Sequence, residues 1–499
     1  MEALKKLWLE ASSIDKNKGN SVICNRFDRF FIIGLASLIW FLLRTGTKPS
    51  RIQYPCQKAA LTNASLWLAI YVIPLTTPLI RIFTGKRITL LLMLAALVAA
   101  GFITYMIAFK PSRAIQLEIK EWIASEQPAS SIFVVTGARG KENDLLALIE
   151  LMGEHGVKFY RSDKTEKTMG PNGLIAADDV VIIKVNSQWD QRGGTSTDLV
   201  KSLIQVIINH PDGFTGEIVI ADNGQAQYGS QGIGGSLDWK ENNAEDTSQS
   251  MQKVADFFAG QGYRVSTYLW DTITLKRAKE YSDGDLEDGY VVYDAQNPRT
   301  GIVVSYPKFK TKYGTYISFK LGVWNPEKEE YNSSRLKVLN VPVLKTHSIY
   351  GVTACIKHYM GVVSDRLTGH NPHNSVGKGG MGTVMVETRV PILNILDSIW
   401  INPHPRGGPS TPYDRAVMVN IIAASQDPAA LDYWASKYVL IPVAKQLGYR
   451  DLSTIDPDNT ASGYFGQWLR LSMEELIKAG YSSTVEEDRM NVYIRYAGS

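Results

Sequence analysis

The stretch DDVVIIKVN, residues 178–186, decides the fold of the larger part of this chain. Its short run of β-branched residues is typical of a strand that is buried on both faces. The next segment, residues 196–213, has apolar residues at helical spacing, with a serine at its start and a glycine at its end. GEIVIAD, residues 216–222, then repeats the strand pattern. A strand, a helix and a second strand in this order predict a parallel βαβ unit.

The same alternation extends to both sides of this unit. Further strand patterns are SIFVVT, YRVSTYLW, RLKVLNVPVL and AVMVNIIAAS, and further helical patterns are ENDLLALIELMGEHG and SQSMQKVADFFAGQG. We therefore predict an α/β fold class, with a mostly parallel open sheet that has helices on both faces. A helix is also predicted in PILNILDSIW, residues 391–400, and another after Asp427, which is an N-cap followed by Pro428. Alternating residues at 289–332 predict a β-hairpin or meander insertion at about 288–335.

The amino-terminal part of the 499-residue chain is more apolar than the rest. Three apolar runs lie between charged residues, at 30–43, 59–80 and 88–109. The last two are long enough to cross a hydrocarbon core of ~30 Å as helices, whereas the first is marginal. We predict a membrane anchor of two or three transmembrane helices in residues 1–112, followed by a soluble α/β domain in residues 113–499. The distribution of lysine and arginine favours a multi-pass protein of the cell membrane, with its soluble domain on the extracytoplasmic side.

Charge and cysteine usage exclude several other classes of protein. The net charge is only +4, and no basic stripe with interleaved aromatic residues is present, so a nucleic-acid partner is not expected. The three cysteines, Cys24, Cys56 and Cys355, are scattered. They form no iron–sulfur motif, and any divalent metal would need histidine, aspartate or glutamate ligands. The sequence is compatible with an oligomeric protein but does not indicate an oligomeric state.

Polar residues cluster where the predicted strands end. Lys345 and His347 are two residues apart at a strand end, so their side chains leave the chain on the same side, and Lys357 follows on the next predicted helix. Lys184 and Asn186 lie at the end of the strand predicted in residues 178–186. Loops at the ends of parallel strands are where α/β folds bind ligands. The sequence therefore predicts a pocket for a small carboxylate or phosphate, with the lysines as cations and His347 as a candidate acid or base.

The segment after Asn186 offers a second kind of anion contact. Gly193, Gly194 and Thr195 precede a predicted helix, and their backbone N–H groups either face an anion or form an ordinary turn. Gly408 lies in another tight turn, which is a candidate for bringing backbone close to a ligand.

Two alternatives to the anion pocket remain open at this stage. His370 and His373, together with His347, form a nitrogen-rich set that Asp365 or Asp397 would complete as a metal site. The spacing of these histidines matches no HExxH motif. The other alternative is a non-catalytic binding or scaffold subunit that docks a partner at the membrane.

Several of these segments together resemble the bacterial and archaeal family known as domain of unknown function 362. The resemblance rests on DDVVIIKVN, VPVLKTHSIYGVTACIKHYMGVV, PILNILDSIW, RGGP and IIAASQDPAALDYWA, and it spans roughly residues 131–445. It implies that the following are family-type positions: Lys184, Asn186, Lys345, His347, Thr353, Lys357, Asp397, Asp427 and Asp432. Within the predicted pocket, Asn186, Thr353, Asp397 and Gly408 are then the candidate substrate-binding residues beside the lysines.

The resemblance also carries expectations about cofactors. Members of that family often have an attached ferredoxin-like iron–sulfur module, and this chain departs from the pattern because its three cysteines are scattered. The layout is also distantly similar to the amino-terminal half of the lactate racemase family, in which lysine and histidines surround an anionic substrate and a nickel cofactor.

Overall fold

The structure is a computed structural model that describes residues 113–225 and 235–497, together with residues 31, 35–41, 63–64 and 67. The chain divides into two units, Met1–Pro111 and Ser112–Ser499. Most of the predicted membrane runs lies outside the described residues. Where helices are described, none has both the length and the apolar character needed to cross a bilayer.

The elements of the second unit alternate along the chain as the sequence predicts. Its strands are β1 (Arg113–Ala114), β2 (Ser130–Thr136), β3 (Tyr160–Arg161), β4 (Met169–Gly170), β5 (Val180–Lys184), β6 (Glu217–Asp222), β7 (Val265–Leu269), β8 (Gly289–Val292), β9 (Ser305–Lys310), β10 (Tyr316–Ser318), β11 (Gly322–Asn325), β12 (Glu330–Asn332), β13 (Leu336–Asn340), β14 (Val343–His347), β15 (Gly351–Thr353), β16 (Leu393–Asn402), β17 (Val417–Ser425) and β18 (Met490–Tyr496). Its α-helices are α1 (Glu142–Glu154), α2 (Thr197–Ile208), α3 (Met251–Ala259), α4 (Cys355–His358), α5 (Asn371–Ser375), α6 (Gly380–Glu387), α7 (Pro428–Ala435), α8 (Ile441–Gln446) and α9 (Phe465–Lys478).

A large sheet forms the centre of the unit. Its main path runs β18-β2-β17-β16-β13-β5-β6-β7, and β1, β14 and β15 pair beside that path. The neighbours from β16 through β13, β5 and β6 to β7 are parallel, as the βαβ pattern predicts. Strand β17 is the exception on the path, because it runs antiparallel to both β16 and β2. The prediction of a mostly parallel sheet is confirmed.

The predicted helix at residues 391–400 is wrong. From Leu393 onward this segment belongs to the ten-residue strand β16, Leu393–Asn402, and all ten strand positions are buried. Its apolar residues recur at mixed spacings, and a short buried segment cannot be assigned to helix or strand from spacing alone. Pairing with β13 and β14 on one side and with β17 on the other makes it a central strand.

Helices cover both faces of the sheet, as predicted. Residues of α1, α2 and α3 pack in the apolar core on one face. Residues of α4, α6, α7 and α9 pack in the core on the other face. Helix α7 begins as the sequence indicates, with the Asp427 side chain accepting hydrogen bonds from Ala429 N and Ala430 N. A π-helical segment, Ser436–Leu440, joins α7 to α8.

The predicted insertion is an antiparallel meander of five strands in the order β12-β11-β10-β9-β8. Its apolar side chains, among them Phe309, Ile317 and Phe319, join the same core as α7 and α9. The insertion therefore packs as part of the unit, on one face of the main sheet.

Three strand ends meet at the place where the sequence predicts a site. Lys184 at the end of β5 pairs in register with Ala221 in β6, so Asp222 follows directly beside it. Strand β14 turns back into β15, with Lys345 opposite Thr353. The first residues of α4 follow β15 immediately, which returns the chain to the same edge of the sheet.

Candidate functional site

A cavity of about 300 Å³ lies at these strand ends. Seven of the predicted site residues line it, and these are Lys184, Asn186, Lys345, His347, Thr353, Lys357 and His373. Its volume equals that of about ten water molecules, which suits a small ligand. Among the described residues that line it, Asp222 is the one carboxylate.

Lys184 and Asp222 form a buried ion pair at the base of the cavity. Lys184 Nζ lies 2.8 Å from Asp222 Oδ1, and their side chains are 0% and 4% exposed. Asp222 also accepts hydrogen bonds from the backbone N–H and the hydroxyl of Ser187. Burial lowers the pKa of Lys184, and the charge of Asp222 opposes that effect. The carboxylate thus compensates the charge of one of the fully buried lysines.

Gly361 explains how the chain comes so close to this pair. A Cβ atom at Gly361 would lie 2.3 Å from Asp222 Oδ1 and 2.6 Å from Lys184 Nζ. Both distances are shorter than any real Cβ contact, so a side chain here would push the two charged groups apart. Glycine at this position therefore lets the backbone approach the ion pair without displacing either charged group.

Lys345 is fully buried and has a different kind of partner. Its Nζ donates a hydrogen bond of 2.7 Å to the carbonyl oxygen of Gly193. Burial lowers the pKa of Lys345 to about 7, and the nearby charges of Lys357 and Lys184 contribute in the same direction. Asp222 opposes the shift. A desolvated ammonium that faces other cations is poorly stabilised, which favours either proton loss or an anionic ligand.

Lys357 reaches the cavity from α4. This short helix is held at its start by the buried carboxylate of Asp432, which accepts hydrogen bonds from Cys355 N and Ile356 N. Burial lowers the pKa of Lys357 to about 8, and the charge of Asp365 opposes this. Lys357 Nζ also lies 5.0 Å from the centre of the Tyr350 ring, within the range of a cation–π contact.

His347 is neutral and presents a hydrogen-bond donor. Its Nδ1 accepts hydrogen bonds from Ile349 N and Tyr350 N, at 3.1 and 3.3 Å, so the ring hydrogen is on Nε2. Burial lowers the pKa of His347 to about 2, and Lys357 and Lys345 lower it further. With Nδ1 occupied, His347 offers an N–H group to a ligand near pH 7 and is a poor base.

Two of the predicted site residues in the cavity have polar atoms without partners among the described residues. Asn186 Oδ1 and Thr353 Oγ1 are buried and make no hydrogen bond to any described residue. Both residues line the cavity. Buried polar atoms in folded proteins almost always have a partner, so these two atoms indicate where a ligand or water would bind.

Asp397 and Gly408 do not lie in the cavity with the other predicted residues. Asp397 is fully buried and accepts hydrogen bonds from Ser196 N at the start of α2, from Asn243 Nδ2 and from Ile399 N. It therefore supplies, within the protein, a carboxylate acceptor at the start of this helix. Gly408 has a φ of 80° in the predicted tight turn, and its neighbour Pro409 reaches the cavity instead.

The predicted metal ligands separate into two groups. Among the described residues, the histidine and acidic side chains close enough to share an ion are Asp365, His370 and His373, without His347. His370 Nδ1 lies 2.5 Å from one oxygen of Asp365, and His373 Nδ1 lies 2.9 Å from the other. These are hydrogen-bond distances. Ligand atoms around a tetrahedral zinc ion with bonds of ~2.0–2.1 Å would be ~3.3 Å apart.

The electrostatics of Asp365 agree with hydrogen bonding. Burial by itself would raise the pKa of this carboxyl, but hydrogen bonds from His373 and His370 outweigh burial and hold the pKa below its ordinary value. In the observed arrangement Asp365 orients both rings. A metal site at these histidines stays a prediction.

Sequence reasoning missed Asp222, Gly361 and Tyr350. Asp222 ends a strand in the same way as Lys184 does, so the strand-end argument was sufficient to find it. Gly361 lies in an apolar segment and has no local signal, because its role depends on contact with β5 and β6. Tyr350 lies in the turn between β14 and β15 and belongs to no sequence motif that indicates a binding site.

Comparisons with known proteins agree with the resemblance noted in the sequence. Neither the curated proteins nor the solved structures include a match to this chain. A family model does match one segment, which extends from the start of β13 into the π-helical segment and includes Lys345, His347, Thr353 and Lys357. Over residues 336–437, the chain is similar to the family described as Domain of unknown function (DUF362), which supports the family predicted from the sequence.

Proposed function

We propose that the cavity binds a small anion that carries a carboxylate or phosphate group. The observation that carries this proposal is the charge balance of the lining: three lysine side chains face one carboxylate among the described residues. That carboxylate is already paired with Lys184. Lys345 and Lys357 are therefore buried amines without a salt-bridge partner among the described residues.

The remaining polar groups support the same ligand chemistry. The Nε2–H group of His347 and the two lysine ammonium groups are donors, and charge-assisted hydrogen bonds to an oxyanion are about twice as strong as neutral ones. An anion would also reverse part of the pKa depression of Lys345 and Lys357, because an opposite charge favours the protonated amine. Asn186 and Thr353 would contact uncharged parts of the ligand.

Inorganic phosphate and acetate are expected to raise the midpoint of thermal unfolding more than chloride does at equal ionic strength. The variant Lys357→Met should bind these anions about 10- to 150-fold more weakly, because a hydrogen bond to a charged group contributes about 1.5–3 kcal/mol. Acetate affinity should also fall as the pH rises from 6 to 9, since Lys345 and then Lys357 lose their protons. Isothermal titration calorimetry measures both effects.

The matched control is Lys378→Met, because Lys378 is exposed and lies away from the cavity lining. This variant should bind phosphate as the unchanged protein does. Equal affinity of the unchanged protein and the Lys357→Met variant for both anions would contradict the proposed site.

We propose further that the protein is anchored in the cell membrane by its amino-terminal part, with the α/β domain on the extracytoplasmic side. The support is the set of apolar runs at 59–80 and 88–109, together with the marginal run at 30–43. The full chain should sediment with membranes, resist extraction by high salt or alkali and be released by detergent. Protease added outside intact cells should cleave the α/β domain. Recovery in the soluble fraction after cell lysis would contradict the anchor.

A further inference from the structure

The three lysines of the cavity differ in how their charges are compensated. Lys184 has a salt bridge to Asp222 at 2.8 Å. Lys357 has the ring of Tyr350 at 5.0 Å and is favoured by the charge of Asp365. Lys345 has a neutral carbonyl as its hydrogen-bond partner, and it is completely buried. Lys345 is therefore the amine that gains most from losing its proton.

Two of the three charged groups around Lys345 disfavour its protonated form. Lys357 and Lys184 both oppose a positive charge on it, and the attraction of Asp222 is shared with the Lys184 ammonium group. His347, two residues along β14, is neutral and adds no negative charge. A hydrogen bond from a neutral amine to the Gly193 carbonyl uses one N–H and leaves the nitrogen lone pair free. An uncharged amine in a buried site next to other cations is the environment that activates a lysine as a nucleophile.

We propose that Lys345 forms an imine with the carbonyl group of a small 2-oxo carboxylic acid bound in this cavity. This inference rests on the proposed anion site and specifies its ligand. The carboxylate of such an acid would be held by the Lys357 ammonium and the His347 Nε2–H group, and its carbonyl carbon would meet the Lys345 nitrogen. The volume of about 300 Å³ limits the ligand to a small molecule.

The reaction balances without any further reactant. The Lys345 nitrogen attacks the carbonyl carbon and forms a C–N bond, while the carbonyl oxygen becomes a hydroxyl group. The hydroxyl then leaves as water, whose two hydrogens equal the two lost from the amine, and a C=N bond results. Protonation of the imine nitrogen gives an iminium ion, which withdraws electrons from the adjacent carbon. No oxidant or reductant is consumed.

The test is reductive trapping of the full, detergent-solubilised protein with pyruvate and sodium cyanoborohydride, followed by peptide mass mapping. The reduced adduct is expected on Lys345. At pH 7 an amine with a pKa of about 7 is half neutral, and its neutral fraction is about 10³-fold larger than that of an ordinary exposed lysine. Trapping at Lys345 should therefore rise up to about pH 7 and fall above about pH 8, where Lys357 loses its proton and holds the carboxylate less well, whereas trapping at exposed lysines should continue to rise towards pH 10.

Two variants and one competitor make the test specific. Lys345→Arg keeps a hydrogen-bond donor for the Gly193 carbonyl but forms no imine, so the adduct on this peptide should disappear. Lys357→Met should reduce trapping at Lys345 by weakening carboxylate binding, and exposed Lys378 serves as the internal reference for non-specific labelling. Excess acetate, which binds as an anion but has no electrophilic carbonyl, should protect Lys345.

The outcomes separate this inference from the anion site itself. An adduct on Lys345 that acetate suppresses supports both. Phosphate and acetate binding without any adduct on Lys345, or with labelling no greater than at Lys378, overturns the imine and leaves the anion site intact. Absence of both anion binding and trapping overturns the two together.

Discussion

Replacing Asp222 by asparagine is expected to lower the free energy of unfolding by about 3–5 kcal/mol at pH 7, because it leaves the charge of Lys184 buried and unpaired. Lys184 is fully buried and its Nζ lies 2.8 Å from Asp222 Oδ1. The upper limit follows from proton loss: neutralising an ordinary lysine at pH 7 costs about 5 kcal/mol, at 1.36 kcal/mol per pH unit. Denaturant unfolding followed by circular dichroism measures the difference from the unchanged protein.

The pH dependence identifies the cause of this loss. In the Asp222→Asn protein, folded Lys184 would be neutral while the unfolded chain still binds the proton. The unfolded state then binds more protons, so the stability of the variant rises with pH. Its deficit should shrink to about 2 kcal/mol at pH 9, since neutralisation costs less there.

Two further proteins serve as controls for the ion pair. Asp163→Asn removes an exposed carboxylate and should leave stability within about 0.5 kcal/mol of the original. The double variant Lys184→Met/Asp222→Asn should be more stable than Asp222→Asn alone, because the unpaired charge has been removed. A deficit below about 1 kcal/mol at pH 7, as for an exposed pair, would show that Lys184 does not depend on Asp222.

The second large effect is expected for Asp432→Ala. The Asp432 carboxylate is fully buried and accepts hydrogen bonds of 2.6 Å from Cys355 N and 3.0 Å from Ile356 N. Removing it leaves two buried N–H groups without acceptors, at about 1–3 kcal/mol each. We expect a loss of about 2–5 kcal/mol in unfolding free energy, and weaker phosphate binding, because these N–H groups begin the helix that carries Lys357.

The variant Asp432→Asn is the matched control, since it keeps one oxygen as an acceptor and does not titrate. Burial raises the pKa of the Asp432 carboxyl to about 7, although the two backbone hydrogen bonds oppose this. A carboxyl whose folded pKa is raised stabilises the fold below its unfolded pKa of about 4, and that contribution is lost as the pH rises through about 7. As the pH rises from about 4 to about 7, the free energy of unfolding of the original protein should therefore decrease more than that of Asp432→Asn. Parallel stability curves for the two proteins would contradict this assignment.

The core of the fold was predictable because its signals are local. In DDVVIIKVN and GEIVIAD, continuous apolar character over four to five residues indicates strands buried on both faces, and the helix between them has its own start and stop signals. Asp427 and Pro428 likewise define the start of α7 without reference to distant residues. The positions of Lys184, Asn186, Lys345, His347 and Lys357 at one cavity followed from a rule of topology, since parallel strands end at the same edge of a sheet.

Tertiary structure alone decided the features that depend on neighbours distant in the chain. Residues 391–400 have a spacing compatible with helix or strand, and pairing on both sides makes Leu393–Asn402 the central strand β16. Asp397 in that strand is turned towards the start of α2 and accepts Ser196 N, so a residue predicted to bind substrate is an internal anion. The buried amines of Lys184 and Lys345 differ in their partners, because one meets a carboxylate and the other a carbonyl. The local sequence pattern determines the hydrophobic repeat of a segment and the face to which each side chain points. The group that a buried charge contacts is determined by long-range packing.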